Sequence, residues 1–210
     1  MSGKFSHIKR AFAVLCVLCS VTGWTRADRV VLTPSAYNLP PGSAKLEIAR
    51  RESRGGLTHY WLHVGLVGGI ELEGARYETR QRQIDSLSLQ YNILPDIGFT
   101  PAVSVGVRDV ADRTDDGIAF YLAVAYRLPY MPPNPLIEEM HLFGGVGAGG
   151  IKGAFVGAEV RTPFRILLSA EYDSRAWNAA VSWEPVPLLR LRLYSIDGET
   201  YYGASLAVSF

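Results

Sequence analysis

The sequence ends in Tyr201-Tyr202-Gly203-Ala204-Ser205-Leu206-Ala207-Val208-Ser209-Phe210, in which every second residue from Tyr202 onward is apolar or aromatic. The residues between these positions are small or polar. Such an alternation has a period of two, which is the period of a β-strand with one apolar and one polar face. The last ten residues therefore predict a strand.

The same alternation recurs along the chain before this C-terminal run. In residues 176–184, Trp177, Val181 and Trp183 share one face and Ser182 and Glu184 share the other. Glycine, proline and acidic clusters separate the runs. The pattern predicts about twelve strands, over residues 43–51, 58–67, 69–77, 86–94, 98–109, 117–128, 140–149, 154–161, 164–173, 176–184, 188–196 and 200–210. In the third run Gly74 interrupts the alternation and predicts a bulge.

Residues 1–27 predict a cleavable signal peptide. The start is basic, residues 11–19 are apolar, and the small residue Ala27 precedes the expected cut. The apolar run is shorter than the roughly 20 residues of a membrane-spanning helix. Both cysteines, Cys16 and Cys19, lie in this segment, so disulfides and cysteine-based metal or redox chemistry are excluded from the exported part. That part has 17 basic and 20 acidic residues and no basic patch, so nucleic acid is not an expected partner.

A soluble β-sandwich also alternates, but two features favour a membrane barrel. An even strand number returns both ends to one side, as in bacterial barrels, and aromatic residues recur near strand ends on the apolar face. They are Tyr60, Tyr91, Tyr126, Tyr172, Trp177, Trp183, Tyr202 and Phe210. We therefore predict an all-β fold, an antiparallel transmembrane β-barrel over residues 43–210. A periplasmic lead-in over residues 28–42 precedes it, and outer-membrane lipid surrounds it.

The C-terminal run also resembles the terminal signal that the barrel assembly machinery of the outer membrane recognises. Its features are the final aromatic residue, the apolar residues at every second position before it, and a glycine seven residues back. The residues that carry this signal are Gly203, Leu206, Val208 and Phe210. The assembly machinery is therefore an expected partner.

The polar face of the strands is rich in charge. A candidate lumenal track consists of Glu159, Arg161, Arg165, Glu171, Asp173, Arg190 and Arg192. The same face carries Lys45, Glu47, His63, Glu71, Glu73 and Arg108. These groups either pair with each other and fill the interior, for which arginine is suited, or form a polar path for a sugar or an anion. No Ser-His motif accompanies the exported histidines, and we expect no catalytic residue, metal or cofactor.

Several short motifs resemble the YjbH-like outer-membrane proteins associated with exopolysaccharide loci. They are the opening Thr33-Pro34-Ser35-Ala36 with Leu39-Pro40-Pro41-Gly42, and the strand end Ala170-Glu171-Tyr172-Asp173. The resemblance implies a role in exopolysaccharide export, with polysaccharide or periplasmic export components as partners. Typical members are several times longer than this chain. The alternatives are a structural or narrow-pore barrel and an outer-membrane lipid-modifying enzyme.

Cleavage after Ala27 predicts a mature protein that begins at Asp28. N-terminal sequencing of the protein purified from outer membranes checks this prediction. A first residue of Met1 would contradict it.

Overall fold

The alternating runs pair side by side in chain order, and the last strand pairs with the first. The computed structural model describes residues 29–53, 56–79, 81–97, 100–128 and 136–210, so the predicted signal peptide lies outside the described residues. The strands are β1 (Ser43–Arg51), β2 (Thr58–Leu66), β3 (Ile70–Glu78), β4 (Gln83–Leu94), β5 (Ala102–Arg108), β6 (Ala119–Arg127), β7 (Glu139–Gly149), β8 (Gly153–Arg161), β9 (Ile166–Tyr172), β10 (Trp177–Val186), β11 (Leu189–Ile196) and β12 (Glu199–Ser209). A short 3-10 turn (Val67–Gly69) joins β2 to β3.

Antiparallel pairing of β1 with β12 closes the barrel. The two strands pair from Ser43 with Ser209 through to Arg51 with Tyr201, and the amide of Phe210 donates to the carbonyl of Gly42 at 2.9 Å. Closure leaves no open sheet edge, which is what lipid surroundings require of a β-structure. We call the end of the barrel that bears Ser43 and Phe210 the terminal rim, and the opposite end the far rim.

The predicted twelve-stranded antiparallel barrel is confirmed, with small changes at the strand ends. The largest changes are in β4, which begins at Gln83, and in β5, which begins at Ala102. The bulge predicted at Gly74 is wrong, because Gly74 pairs in regular register with Leu62 on one side and Leu87 on the other. Register shifts occur instead in β4, between Asn92 and Leu94, and in β10, between Trp183 and Val186.

The apolar face of the strands points outward and the polar face points inward. In β10, Trp177 is 70% exposed and Val181 48%, whereas Asn178 and Ser182 are at most 2% exposed. This arrangement is the reverse of a soluble β-protein and is typical of membrane barrels. The outward aromatic residues lie near the two rims, with Tyr60, Tyr172, Trp177 and Tyr202 toward the far rim and Tyr91, Tyr126, Trp183 and Phe210 toward the terminal rim.

The described residues include no helix that is both long enough and apolar enough to span a membrane.

The outward face predicts a depth-dependent effect of an added charge. Val181 lies in the middle of β10, and we expect Val181→Arg to lower the free energy of unfolding in lipid by about 2–4 kcal/mol, because a cation at mid-bilayer depth loses its hydration. Ser195→Arg is the matched control, since Ser195 also faces outward but lies near the far rim, where the cost is about 0–1 kcal/mol. Denaturant titration in liposomes measures both, and equal losses would contradict the membrane depth of Val181.

Candidate functional site

Residues 29–39, which precede β1, lie inside the barrel and fill part of the lumen. We call residues 29–39 the plug. Val30, Ala36 and Leu39 are each at most 2% exposed, and the contacts that bury them come from the inward faces of the strands. The structure thus places residues 29–39 in the lumen, and the assignment of residues 28–42 to a periplasmic lead-in stays a prediction. Residues 30–41 carry no charged side chain, so they can be buried at little electrostatic cost.

The tip of the plug is anchored on one buried carboxylate, that of Glu171 in β9. The backbone amides of Val31, Leu32 and Thr33 donate to its two oxygens at 2.8, 2.7 and 3.1 Å, and the Thr33 hydroxyl donates at 2.7 Å. Asn178 of β10 adds a side-chain donor at 3.3 Å. Successive backbone amides that converge in this way form an anion-binding nest. Glu171 is 0% exposed, so these donors replace the water molecules that would hydrate an exposed carboxylate.

Two further charged contacts hold the tip. Arg108 of β5 donates to the Leu32 carbonyl at 2.6 Å. On the plug itself, the Nε atom of Arg29 lies 3.5 Å from a carboxylate oxygen of Glu73 in β3, and its guanidinium lies 4.2 Å from the centroid of the Trp61 ring. A cation over an aromatic face is attracted to it, more strongly when both groups are desolvated.

Below the tip, toward the terminal rim, further polar side chains hold the plug, and Asp96 accepts from the Tyr37 hydroxyl at 3.3 Å. The Ala36 carbonyl accepts from Ser104 Oγ at 2.8 Å and from Asn92 Nδ2 at 2.9 Å. The Tyr37 hydroxyl lies 3.0 Å from Nδ1 of His141. These bonds satisfy buried polar groups that water cannot reach.

The plug leaves the lumen at the terminal rim, along the inner face of β2 and β3. The Leu39 amide donates to Glu71 at 2.6 Å, and the chain then passes against Gly65 of β2. A Cβ atom at Gly65 would lie 2.2 Å from the carbonyl oxygen of Pro40 and 2.5 Å from that of Leu39. Only glycine leaves room for this close approach of two backbones.

The other side of the lumen is filled by wall side chains that pair with each other. Glu184 of β10 lies 2.7 Å from Arg161 of β8 and 2.5 Å from Arg190 of β11. Glu47 of β1 lies 3.1 Å from Arg192 of β11 and 3.2 Å from Lys45. Tyr194 also donates its hydroxyl to Glu47. We call these residues the ion network.

The residues of the predicted track therefore do not form one cluster. Arg161, Arg190 and Arg192 belong to the ion network, whereas Glu171 holds the plug and Glu159 accepts from Ser169 at 3.3 Å. The partners of the arginines, Glu184 and Glu47, lie on the polar face that the alternation of β10 and β1 predicts, but the sequence does not indicate which charges meet.

Two residues of the predicted track lie outside the strands. Arg165 is exposed in the turn between β8 and β9, with a φ of 58°, and it bonds the Pro185 carbonyl at 3.3 Å. Asp173 follows β9 and accepts from the amides of Arg175 and Ala176. The period-two pattern extends one or two residues into these turns, which is why the sequence assigns both residues to the lumenal face. The role of the track in transport stays a prediction.

Ion pairs also tie the loops together at the far rim. Arg82 bonds both oxygens of Asp115 at 2.9 Å, and this bond lowers the pKa of Asp115 below its ordinary value. In the same loop as Asp115, burial raises the pKa of Asp109, but hydrogen bonds from the Arg113 amide and from the Thr114 amide and hydroxyl outweigh burial and leave the pKa lowered. The loop between β5 and β6 is thus fixed at both of these carboxylates.

The lumenal cavities between the described residues beside the plug and the ion network are small. One cavity beside the plug, lined by Glu71, Glu73 and Arg108 among others, has a volume of about 20 Å³. A second, beside the ion network, has the same volume. Each holds about one water molecule. In the part of the chain that the structure describes, no group of three or more potential ligands could hold a metal ion.

Known structures with a similar fold are porins. The KdgM porin superposes with a TM-score of 0.54 at 11% identity, over 79% of this chain and 99% of the porin. The KdgM porin in complex with disordered oligogalacturonate superposes with a TM-score of 0.52 at 11% identity, again over 79% of this chain and 99% of the porin. The NanC porin superposes with a TM-score of 0.39 over 80% of this chain and 99% of the porin, also at 11% identity. No protein-family model and no curated protein sequence matches the chain.

The similarity to the KdgM porin shows that this chain has the fold of an outer-membrane porin. About a fifth of the chain is not covered, which is about the length of the stretch before β1. The resemblance to YjbH-like proteins gains no support from these comparisons.

The anchor on Glu171 predicts that Glu171→Ala releases the plug. The substitution leaves three buried amides without an acceptor, each at a cost of about 1–3 kcal/mol. Release is measured in a Ser104→Cys background, because Ser104 is 0% exposed beneath the plug and the sequence has no cysteine after Cys19. We expect a charged, water-soluble reagent to label the thiol introduced at position 104 faster when Glu171→Ala is also present. Glu78→Ala is the control, because Glu78 lies on the outward face of β3, and it should leave the labelling rate unchanged; equal rates in both variants would contradict the anchor.

Proposed function

We propose that this protein is a narrow outer-membrane channel whose lumen is closed by its own residues 29–39 and opens when they leave. The observation that carries the proposal is the way in which the plug is attached. Its backbone is bonded by side chains of the wall strands, and it shares no β-ladder with those strands. Among the described residues, backbone-to-backbone bonds to the strands begin only after residue 39, where the Pro40 carbonyl accepts from Ser43 and the Gly42 amide donates to Gly65.

A plug attached in this way can leave without opening the barrel. The twelve strands close their ladder through β1 and β12 alone, and none of those hydrogen bonds involves residues 29–39. Departure of the plug breaks the bonds to Glu171, Glu71 and Arg108 instead. Hydrogen bonds to charged groups contribute about 1.5–3 kcal/mol each, so the closed state is the dominant one and opening is a transition to a minor state.

The opened path would be narrow because only one side of the lumen is vacated. The ion network on β1, β8, β10 and β11 is formed entirely by wall side chains. Removing one partner of such a buried pair costs about 3–5 kcal/mol, so the network stays in place while the plug moves. The remaining opening lies between β2 and β9.

This geometry does not favour the export of exopolysaccharide. The cavities between the described residues of the closed lumen are too small for a sugar chain, and the opened lumen would be limited by the ion network. Nor does the wall beside the plug suit a polyanion such as the oligogalacturonate of the KdgM porin complex, since Glu71, Glu73 and Glu171 lie there. We favour small solutes as cargo.

The proposed location is the outer membrane, with the terminal rim in the periplasm. The outward apolar face, with its two groups of aromatic residues, supports lipid as the surroundings. Leu206, Val208 and Phe210 of the predicted assembly signal also face outward and are exposed. Recognition by the assembly machinery stays a prediction.

Deletion of residues 29–39 tests the proposed channel. We expect the complete protein to be nearly non-conducting in planar lipid bilayers and the deletion variant to show stable unitary currents, because the deletion removes the material that fills one side of the lumen. Heat-modifiable migration on gels checks that both proteins form the barrel. A correctly assembled deletion variant without currents would leave the alternative, a purely structural barrel.

A further inference from the structure

The charges in the lumen are divided between its two sides. On the side of the ion network, each wall cation lies within 3.2 Å of Glu47 or Glu184. On the side of the plug, the wall strands present mainly carboxylates, which contact the plug and, at Glu71 and Glu73, also His63 of β2.

Three carboxylates of the wall strands face the plug along its length, and a fourth, Asp96, which follows β4, accepts from the Tyr37 hydroxyl at 3.3 Å. Glu171 accepts from the amides at the tip, Glu73 lies beside Arg29, and Glu71 accepts from Leu39 near the exit. A wall cation, Arg108, also contacts the plug, through the Leu32 carbonyl. When the plug leaves, Arg29 and the backbone amides that donate to Glu171 and Glu71 leave with it.

We infer that the path opened by departure of the plug conducts cations in preference to anions. The inference rests on the proposed function. Glu71, Glu73 and Glu171 would line this path on opposite walls, because β3 and β9 lie across the barrel from each other. Carboxylates that line a narrow pore attract cations and repel anions, and salt screens a charge only weakly at separations shorter than the Debye length of about 8–10 Å.

The neighbouring titratable group does not reverse this balance. His63 of β2 lies between the two glutamates of β3, with Nδ1 3.2 Å from Glu71 and Nε2 3.5 Å from Glu73. Even with His63 protonated, these three carboxylates outnumber the two wall cations beside them, His63 and Arg108. The cargo that this chemistry favours is a small inorganic or organic cation.

The test uses the deletion variant that lacks residues 29–39, in a bilayer with a gradient of KCl. We expect a reversal potential displaced toward the equilibrium potential of K⁺. Glu71→Gln, Glu73→Gln and Glu171→Gln combined in this variant should move the reversal potential toward zero. Glu78→Gln is the matched control, because Glu78 lies on the same strand but on its exposed face, and it should leave the value unchanged.

A second measurement needs no further substitution. A trivalent lanthanide ion added to one side of the deletion variant should reduce its current, because it binds between carboxylates. A reversal potential on the Cl⁻ side of zero, or one that the triple substitution does not move, would overturn the inference while leaving the channel intact. A deletion variant that assembles but carries no current would instead overturn the proposed function.

Discussion

Closure of the hydrogen-bond ladder between β1 and β12 is the constraint from which the rest of the structure follows. A ring of twelve strands has a fixed circumference, and every backbone group in it is paired without help from the interior. The interior therefore has a fixed width that side chains alone do not fill on every side. The inward residues determine how the interior is filled, and the two sides of the lumen are filled in different ways.

On one side, wall residues fill the lumen by pairing with each other. Arg190 and Glu184 come from neighbouring strands, so their pairing is part of the barrel and cannot leave it. On the other side, small and uncharged wall residues such as Ala102, Ser104 and Gly65 leave a space, and the plug occupies it through bonds to its backbone. Backbone amides bind carboxylates with little dependence on side-chain identity, so the attachment needs few specific residues in the plug.

The sequence predicts the strands well because each strand shows its two faces locally, as β10 does with Trp177 and Asn178. The sequence does not predict contacts between residues that are far apart along the chain. Glu47 and Arg192 are 145 residues apart, and no local pattern indicates that they meet. The plug is the clearest case, since the burial of Val30 and Ala36 depends on a cavity that exists only after closure. The absence of charge over residues 30–41 is the available signal, because a solvated lead-in has no reason to be so apolar.

The same carboxylates both hold the plug and would face a solute after its departure, so the closing of this lumen and its selectivity are physically coupled. Glu171 is stable as a buried charge only while the plug amides or water and cations surround it. A cation that enters the opened path compensates the charge of Glu171 after the plug amides have left, and it therefore stabilises the open state. Replacing Glu171 by an uncharged residue weakens both states at once, which means that tight closure and a preference for cations depend on the same residue.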